Sequence, residues 1–513
     1  METSLSAFPE ELIARISDQV PLDSLVQFAL ACRVTYRCAR PRLIANQQYD
    51  EQEQKVQHDR LPLTVPSLLR KIYKEPDSSF HWHSLDILGI RPGWQEWTTW
   101  DFFNYSGPDA GGDVDDPNWP EPAENHTHLD SSFFELTELQ FYADCMRRKL
   151  WLDSDQTKRW MSQVQDGWDE PLKALLIALS PRLRRLNFVA EYMEDPVQHP
   201  LGLLTEAISR IYHTPKAVWP PGFMALRRVS VNTFSNIRHP SDGFYVAPSE
   251  VAPLFLLPNI KVLNLSVLRG DEPDPEFHLP PSSSSVEELT FYSCELCSEA
   301  HEKLLLAPRE LKRLRCVHGS GFTKRLTGQL AERYANTLEV LLVDGHHKID
   351  NACLKKFEKL AFLSGVELSS LSMCTTHSPS FSESAHGRFS ADLRTLLPFS
   401  LQQLGIQDYS PNWESGVLQH GRRNAGKDSL NAIADLAEDN RFEHLREICF
   451  WGVGLGNECD EALMRIRTTG VSLCQDWQDD GKLGEDDYLE RRRAAFGNHG
   501  EIETDPFHQN GPP

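Results

Sequence analysis

Apolar residues recur along this chain in two rhythms, and each rhythm predicts a different kind of element. From residue 180 onward a short pattern repeats: apolar, two variable, apolar, one variable, apolar. It reads Leu183-Leu186-Phe188, Leu226-Val229-Val231, Ile260-Leu263-Leu265, Val286-Leu289-Phe291, Leu311-Leu314-Cys316, Leu338-Leu341-Val343, Leu363-Val366-Leu368, Leu401-Leu404-Ile406 and Leu445-Ile448-Phe450. The central starts, at 260, 286, 311, 338 and 363, are 26, 25, 27 and 25 residues apart, within the period of leucine-rich repeats. The flanking units are longer, at 43, 34, 38 and 44 residues, and must carry insertions. The last two apolar positions of each unit alternate as in a strand with one buried face. Helical returns fit between the strands, at Ser298 to Leu306, Lys324 to Tyr334 and Ala352 to Leu360. Asp169 to Leu179 reads as the helix that leads into the first of these strands. A unit of this kind cannot close its own core, so the expected object is a solenoid of parallel strands with helices outside.

The second rhythm is helical and belongs to residues 5 to 46. Phe8 and Pro9 open a helix at the point where a proline lacks nothing that the first turn would use. Glu10 and Glu11 favour its positive end. Leu12, Ile13 and Ile16 follow at helical spacing, and Pro21 stops the run. Asp23 or Ser24 can cap a second helix bearing Leu25, Val26, Phe28, Ala29, Leu30 and Cys32, and a third is expected from Thr35 to Ile44, with a kink available at Pro41. Three short helices are near the lower size limit for an independent core, and Phe8, Leu12, Ile16, Leu25 and Leu30 compete for it. Some of this apolar surface should meet a partner or the next domain.

Between the two regions the signals are weaker. Residues 46 to 60 are polar and read as a linker or an exposed helix end; Leu61 to Ile90 holds a helix-like stretch (Leu68, Leu69, Ile72) and a strand-like one (Trp82, Leu85, Ile87). The Gly, Pro and Asp-rich run from Asn104 to Asp130 has no apolar period and reads as an acidic, disordered insertion. After Leu473 the period is lost again. The expected organisation is a helical module over 1–46, a linker with first repeat-like elements and the insertion over 47–165, a repeat array over 166–475, and a polar tail over 476–513.

Charge removes some partners from consideration. The formal net charge is -22, against nucleic acid and anionic membranes, whose affinity comes from Lys and Arg. No Lys or Arg occurs between Arg91 and Arg147, where twelve Asp and Glu fall, a block read as solvated surface. The first thirty residues lack a secretory pattern and no window supplies the ~20 apolar residues of a membrane span. A soluble chain of the cytoplasm or nucleus is expected. Eleven scattered cysteines argue for reduced thiols over a disulfide framework.

The helical region matches a known pattern. Phe8-Pro9-Glu10-Glu11-Leu12-Ile13-Ala14-Arg15-Ile16, then Pro21-Leu22-Asp23-Ser24-Leu25, then Ala29-Leu30-Ala31-Cys32-Arg33, resemble the F-box motif, with Phe8 and Val20 where leucine is commoner. The match covers under a tenth of the chain. With the array behind it, the whole resembles the divergent fungal F-box proteins with irregular leucine-rich repeats, an α/β architecture. That resemblance implies a substrate-recognition subunit of a cullin-RING ubiquitin ligase. Its F-box would bind a Skp-type adaptor through Phe8, Pro9, Leu12, Ile16, Leu25 and Leu30, and its repeats would bind a protein target. The rival reading is a repeat scaffold outside ubiquitin transfer, its first helices serving as the cap that a solenoid needs.

Catalytic and metal motifs are faint. Cys294, Cys297, His301, Cys316 and His318 have spacings open to zinc, but Cys294 also falls on the turn position of the repeat and Cys316 on an inward strand position. Gly452-Val453-Gly454-Leu455-Gly456 lacks the third glycine of a dinucleotide loop, which would fall on Asn457. His318-Gly319-Ser320-Gly321 has no nucleophile elbow to serve. His81-Trp82-His83 puts two imidazoles on one strand face without a nameable third ligand. Trp94, Trp97, Trp100, Phe102 and Phe103 read as packing around the first repeats, with peptide anchoring as the alternative. The expectation is therefore no cofactor, no metal and no catalysis.

Overall fold

The computed structural model describes residues 8–20, 22–52, 57–58, 63–88, 90–91, 93–97, 130–190, 201–214, 217–233, 246–270, 272–273, 277–319, 322–345, 351–367, 393–407, 423–424, 427–451, 453–454 and 460–475. The acidic run 104–129, the tail 476–513, and Trp100, Phe102, Phe103 and Leu368 lie outside them. The chain divides into two units, Met1–Phe322 and Thr323–Pro513.

The first unit begins with three helices, α1 (Glu10–Gln19), α2 (Leu22–Ala31) and α3 (Arg33–Gln52). A two-residue strand β1 (Gln57–His58), α4 (Thr64–Lys74) and β2 (Ser84–Leu88) follow. Then come α5 (Leu136–Lys149), α6 (Ser154–Gln165), α7 (Glu170–Leu179), β3 (Arg185–Ala190), α8 (Gly202–His213), α9 (Pro221–Ala225) and β4 (Arg228–Thr233). The unit ends with α10 (Pro248–Val251), β5 (Val262–Ser266), β6 (Glu288–Tyr292), α11 (Ser298–Leu306) and β7 (Arg313–Gly319). Every neighbouring pair from β1 to β7 is parallel and in sequence order.

Register explains the apolar rhythm. Leu85, Leu186, Val229, Leu263, Leu289 and Leu314 stand side by side across six strands, and so do Ile87, Phe188, Val231, Leu265, Phe291 and Cys316. No member of either row is more than 3% exposed. Each full burial contributes about 1.5–3 kcal/mol. Trp82, Leu183, Leu226, Ile260, Val286 and Leu311 lead the strands and are buried as well. Trp82-Leu85-Ile87 thus joins the ladder as a further unit ahead of the nine read from the sequence.

Turns after β5 and β6 repeat in backbone detail. Val267 (φ 55°) and Ser293 (φ 50°) both take a left-handed conformation one residue beyond the strand. Their amides donate to Tyr292 and Val317 carbonyls of the next strand at 2.8 Å. Behind the turns, Arg269–Gly270 pairs in parallel with Glu295–Leu296.

The second unit holds α12 (Lys324–Tyr334), β8 (Val340–Gly345), α13 (Asn351–Leu354), β9 (Phe362–Glu367), α14 (Leu393–Leu396), β10 (Gln403–Gln407), α15 (Lys427–Ala437), β11 (Glu447–Trp451), α16 (Asp460–Thr468) and β12 (Ser472–Gln475). β8 to β12 form a parallel ladder in chain order. Here the sequence reading needs a correction. Leu363 was expected to lead its unit, yet it pairs with Leu341 and Leu404 in the second position, and buried Leu360 takes the lead. An extra residue at Gly365 causes the shift, because the register jumps between Ser364 and Val366. Gly365 adopts φ +90°, and a Cβ there would sit 1.3 Å from the Val343 carbonyl oxygen, so only glycine fits this bulge.

Other expectations shift by a few residues. The returns at Ser298–Leu306 and Lys324–Tyr334 have the bounds read from the pattern, but the one expected over 352–360 is only Asn351–Leu354. It stops because the Glu358 amide donates to Ala335 O at 2.8 Å, where a continuing helix would use Leu354. α3 was expected to end near Ile44 and runs to Gln52, since Ala, Gln and Glu dominate that stretch and exposed Pro41 is accommodated within it.

The connection between β2 and β3 carries α5 and α6, helices missed in the sequence, and buried ion pairs fasten α5 and the start of α7. Arg70 of α4 donates to Glu138 of α5 at 3.0 Å and to Phe133 O at 3.0 Å, while Tyr142 OH donates to the same carboxylate. Glu138 is 1% exposed. Deeper, Asp169 receives Arg91 and Lys173, each at 2.9 Å, and all three are at most 2% exposed. Trp94 and Trp97 pack at tilted and edge-on angles against Phe133 and Phe134, and their indole N–H groups donate to Gln165 O and Gly167 O at 2.8 and 2.6 Å. Trp97 is buried core packing, and Trp94 lies half-buried beside it.

Removing the Asp169 charge strands two buried cations. Asp169→Asn should lower the unfolding free energy by about 3–5 kcal/mol in urea titration. Next to it, burial pushes the Glu170 carboxyl up from 4.5 to about 7, against the opposing hydrogen bond from the Leu203 amide at 2.7 Å. Between about pH 4.5 and 7 the folded chain therefore keeps a proton that the unfolded chain releases, and stability falls as pH rises through that window. Glu170→Gln keeps an acceptor for Leu203, so its urea midpoint should exceed the wild type's at pH 8 and match it at pH 4.

Candidate functional site

The opening helices build a two-faced surface. Pro9 precedes α1 and its carbonyl accepts from Leu12 and Ile13 amides at 3.0 and 3.2 Å. Glu10 and Glu11 sit in the first turn, where the helix dipole favours them. At the other end the Arg42 guanidinium of α3 donates to Val20 O at 2.9 Å and to Ser17 O, closing carbonyls that the last turn leaves open. A second clasp starts α3: the Thr35 hydroxyl accepts from the Cys32 amide at 2.9 Å. The first clasp ties α1 to α3, and the second sets the junction between α2 and α3.

With that orientation set, Ile13 and Ser17 point inward at 0% exposure. Phe8, Leu12 and Ile16, four residues apart, point outward at 46%, 46% and 43%. Within α1, Leu12 and Ile16 are four apart and share one face, while Phe8 lies ahead of the helix, before its N-cap Pro9. Pro9 is also exposed. Leu30 projects from α2 at 78% exposure, and Tyr36 of α3, which the sequence reading overlooked, is half exposed.

Leu25 behaves differently from the other five candidate contacts. It is fully buried with Ala29 and Ala39, and Val20, Phe28, Leu43 and Phe80 pack around it. It therefore supports the surface from beneath and offers no contact of its own. Phe80 lies in the 3-10 turn Pro76–His81, so this small core is joined to the chain that leads into β2. Asp77 of that turn also pairs with Arg42 at 3.7 Å.

The cysteine and histidine cluster resolves into packing roles. Cys294, 1% exposed, donates to Leu265 O and Tyr292 O at 3.4 and 3.3 Å across adjacent turns. Burial pushes its thiol up to about 12, and raises that of Cys316 further. Cys297 precedes α11 and accepts from the Ala300 amide, and His301 packs edge-on against Phe291 at 5.5 Å between ring centres. Among the described residues no group of three or more His, Cys, Asp or Glu is arranged to hold a metal ion, and no helix is long and apolar enough to cross a membrane. The side chains of His81 and His318 and parts of the two glycine-rich turns fall outside the described residues.

No protein-family model matches this chain, and no curated protein matches it either.

Proposed function

We propose that this chain is the substrate receptor of an SCF-type ubiquitin ligase. Its α1–α3 module would dock on a Skp-type adaptor, and its parallel ladders, read as an irregular leucine-rich repeat solenoid, would hold a protein target. The observation that carries this reading is the exposure of Leu12 and Ile16 on one face of α1, with Phe8 exposed just ahead of it, on a helix whose opposite face is packed and whose C-terminal end is clasped by Arg42. An isolated small module gains nothing from an apolar outer face, whereas covering these three side chains returns about 1 kcal/mol each. Leu30 and Pro9 extend the docking surface. Bond making belongs to the conjugating enzyme and RING subunit in this scheme, so the chain acts by holding.

One observation favours the rival, a scaffold whose first helices cap the array: Phe80 ties the module's core to the segment before β2. A cap, however, has no use for these outward side chains. The chain is co-purified with a Skp-type adaptor, as wild type and as Leu12→Asp plus Ile16→Asp. Because both side chains are nearly half exposed, the variant should fold normally, and adaptor recovery should drop at least tenfold. Unchanged recovery rejects docking. In the same series, a chain lacking residues 1–46 should stay soluble if the module recruits, and aggregate if it is only a cap.

A further inference from the structure

The ladder of the second unit ends at β12, which pairs with β11 on one side and, among the described residues, with no strand on the other. Stacked units of this kind close their core only against a neighbour, so the last one is left open. Leu341, Leu363, Leu404 and Ile448 share one row along β8 to β11, and none is more than 3% exposed. Leu473 takes the same position in β12 and is only half-buried.

The helical layer stops in the same way. α15 lies between α14 and α16 and buries Leu430, Ile433, Ala434 and Leu436, whereas α16 buries Ala462 and Ile466 alone. Arg465 of α16 reaches back to Asp435 and Glu438 of α15, each at 2.6 Å. Leu463 stands two positions earlier, about 200° round the helix and so on the side away from α15. It is half-buried, and Met464 beside it is 57% exposed. Leu463, Met464 and Leu473 thus leave apolar surface at the end of the array.

Residues 476–513 continue from β12, and one stretch of that otherwise polar sequence carries helix signals at both ends. Glu485, Asp486 and Asp487 suit a first turn, Arg491, Arg492 and Arg493 suit the approach to the negative end, and Gly497 suits the position past the last turn. At helical spacing Tyr488, Leu489, Ala495 and Phe496 fall within an arc of about 120°. Arg492 shares that arc, where its stem can lie along apolar surface. Spacing agrees with the preceding unit: residues 452–459, eight in all, join β11 to α16, and residues 476–484, nine in all, join β12 to the stretch 485–496.

We propose that residues 485–496 form the closing helix of the array, with Tyr488, Leu489 and Phe496 seated over Leu463, Met464 and Leu473. The open end is small enough for one helix, whereas a lasting contact with a second copy needs about 800 Å² from each partner. The short link adds to this preference, because it holds the stretch at an effective concentration on the order of millimolar. Adaptor docking plays no part in this reading.

The test is hydrogen–deuterium exchange of the full chain as wild type, as Leu489→Asp plus Phe496→Asp, and as Met464→Asp, which breaks the same contact from the other side. In the wild type, residues 485–496 are expected to exchange at least tenfold more slowly than an unstructured chain. Each variant should remove most of that protection and speed exchange over residues 460–475 at least fivefold, with β8–β10 unchanged as proof that the unit is folded. If Met464→Asp disturbs β8–β10, the variant at 489 and 496 decides alone. Ala494→Lys, on the opposite face of the stretch, should change neither region. Three results overturn the proposal: unstructured-chain exchange over 485–496 in the wild type, exchange over 460–475 that the variant at 489 and 496 leaves unchanged, or protection of 460–475 that is lost on tenfold dilution, which assigns the open end to a second copy.

Discussion

A parallel strand with one buried face cannot cover its own side chains. Leu263 and Leu265 are sealed from water because Val229 and Val231 stand on one side and Leu289 and Phe291 on the other. Everything else in the two ladders follows from that dependence. Strands must come in order, returns must bring the chain back to the same edge, and any insertion must leave between strands without disturbing the register. α5 and α6 obey this rule: they depart after β2 and return through α7 into β3, with Arg70–Glu138 holding α5 and Arg91–Asp169–Lys173 holding the start of α7.

Such contacts explain what was legible beforehand. The rhythm at period two, the lead residue three positions earlier and the helical returns are local consequences of burial, so Leu183 to Val343 could be read with its strands in place. Gly365 could not. A bulge spends one residue without a partner, which looks in the sequence like a unit starting three residues late, and only the pairing of Leu363 with Leu341 reveals it. Trp82-Leu85-Ile87 went uncounted for another reason, since its next repeat lies beyond an insertion that breaks the period. α5 and α6 were missed because their stability comes from partners far along the chain, such as Arg70 for Glu138.

The candidate docking surface was partly legible too. Spacing alone put Leu12 and Ile16 on one face, and composition said that not every apolar residue could be buried. It could not say which ones lose. Leu25 wins the core because Ala29 and Ala39 leave room for it, while Arg42 and Thr35 orient α1 and α2 so that Phe8, Leu12 and Leu30 face out. The selection is made by polar clasps between helices, which no apolar pattern records.

The exposed apolar side chains of the opening helices are proposed to serve docking on an adaptor. Hydrogen–deuterium exchange of the full chain, alone and with a purified Skp-type adaptor, tests that proposal most directly. Slower exchange over residues 8–36, with β3–β7 unchanged, is the predicted result. Equal exchange over 8–36 in both states, or protection confined to the strands, would contradict it.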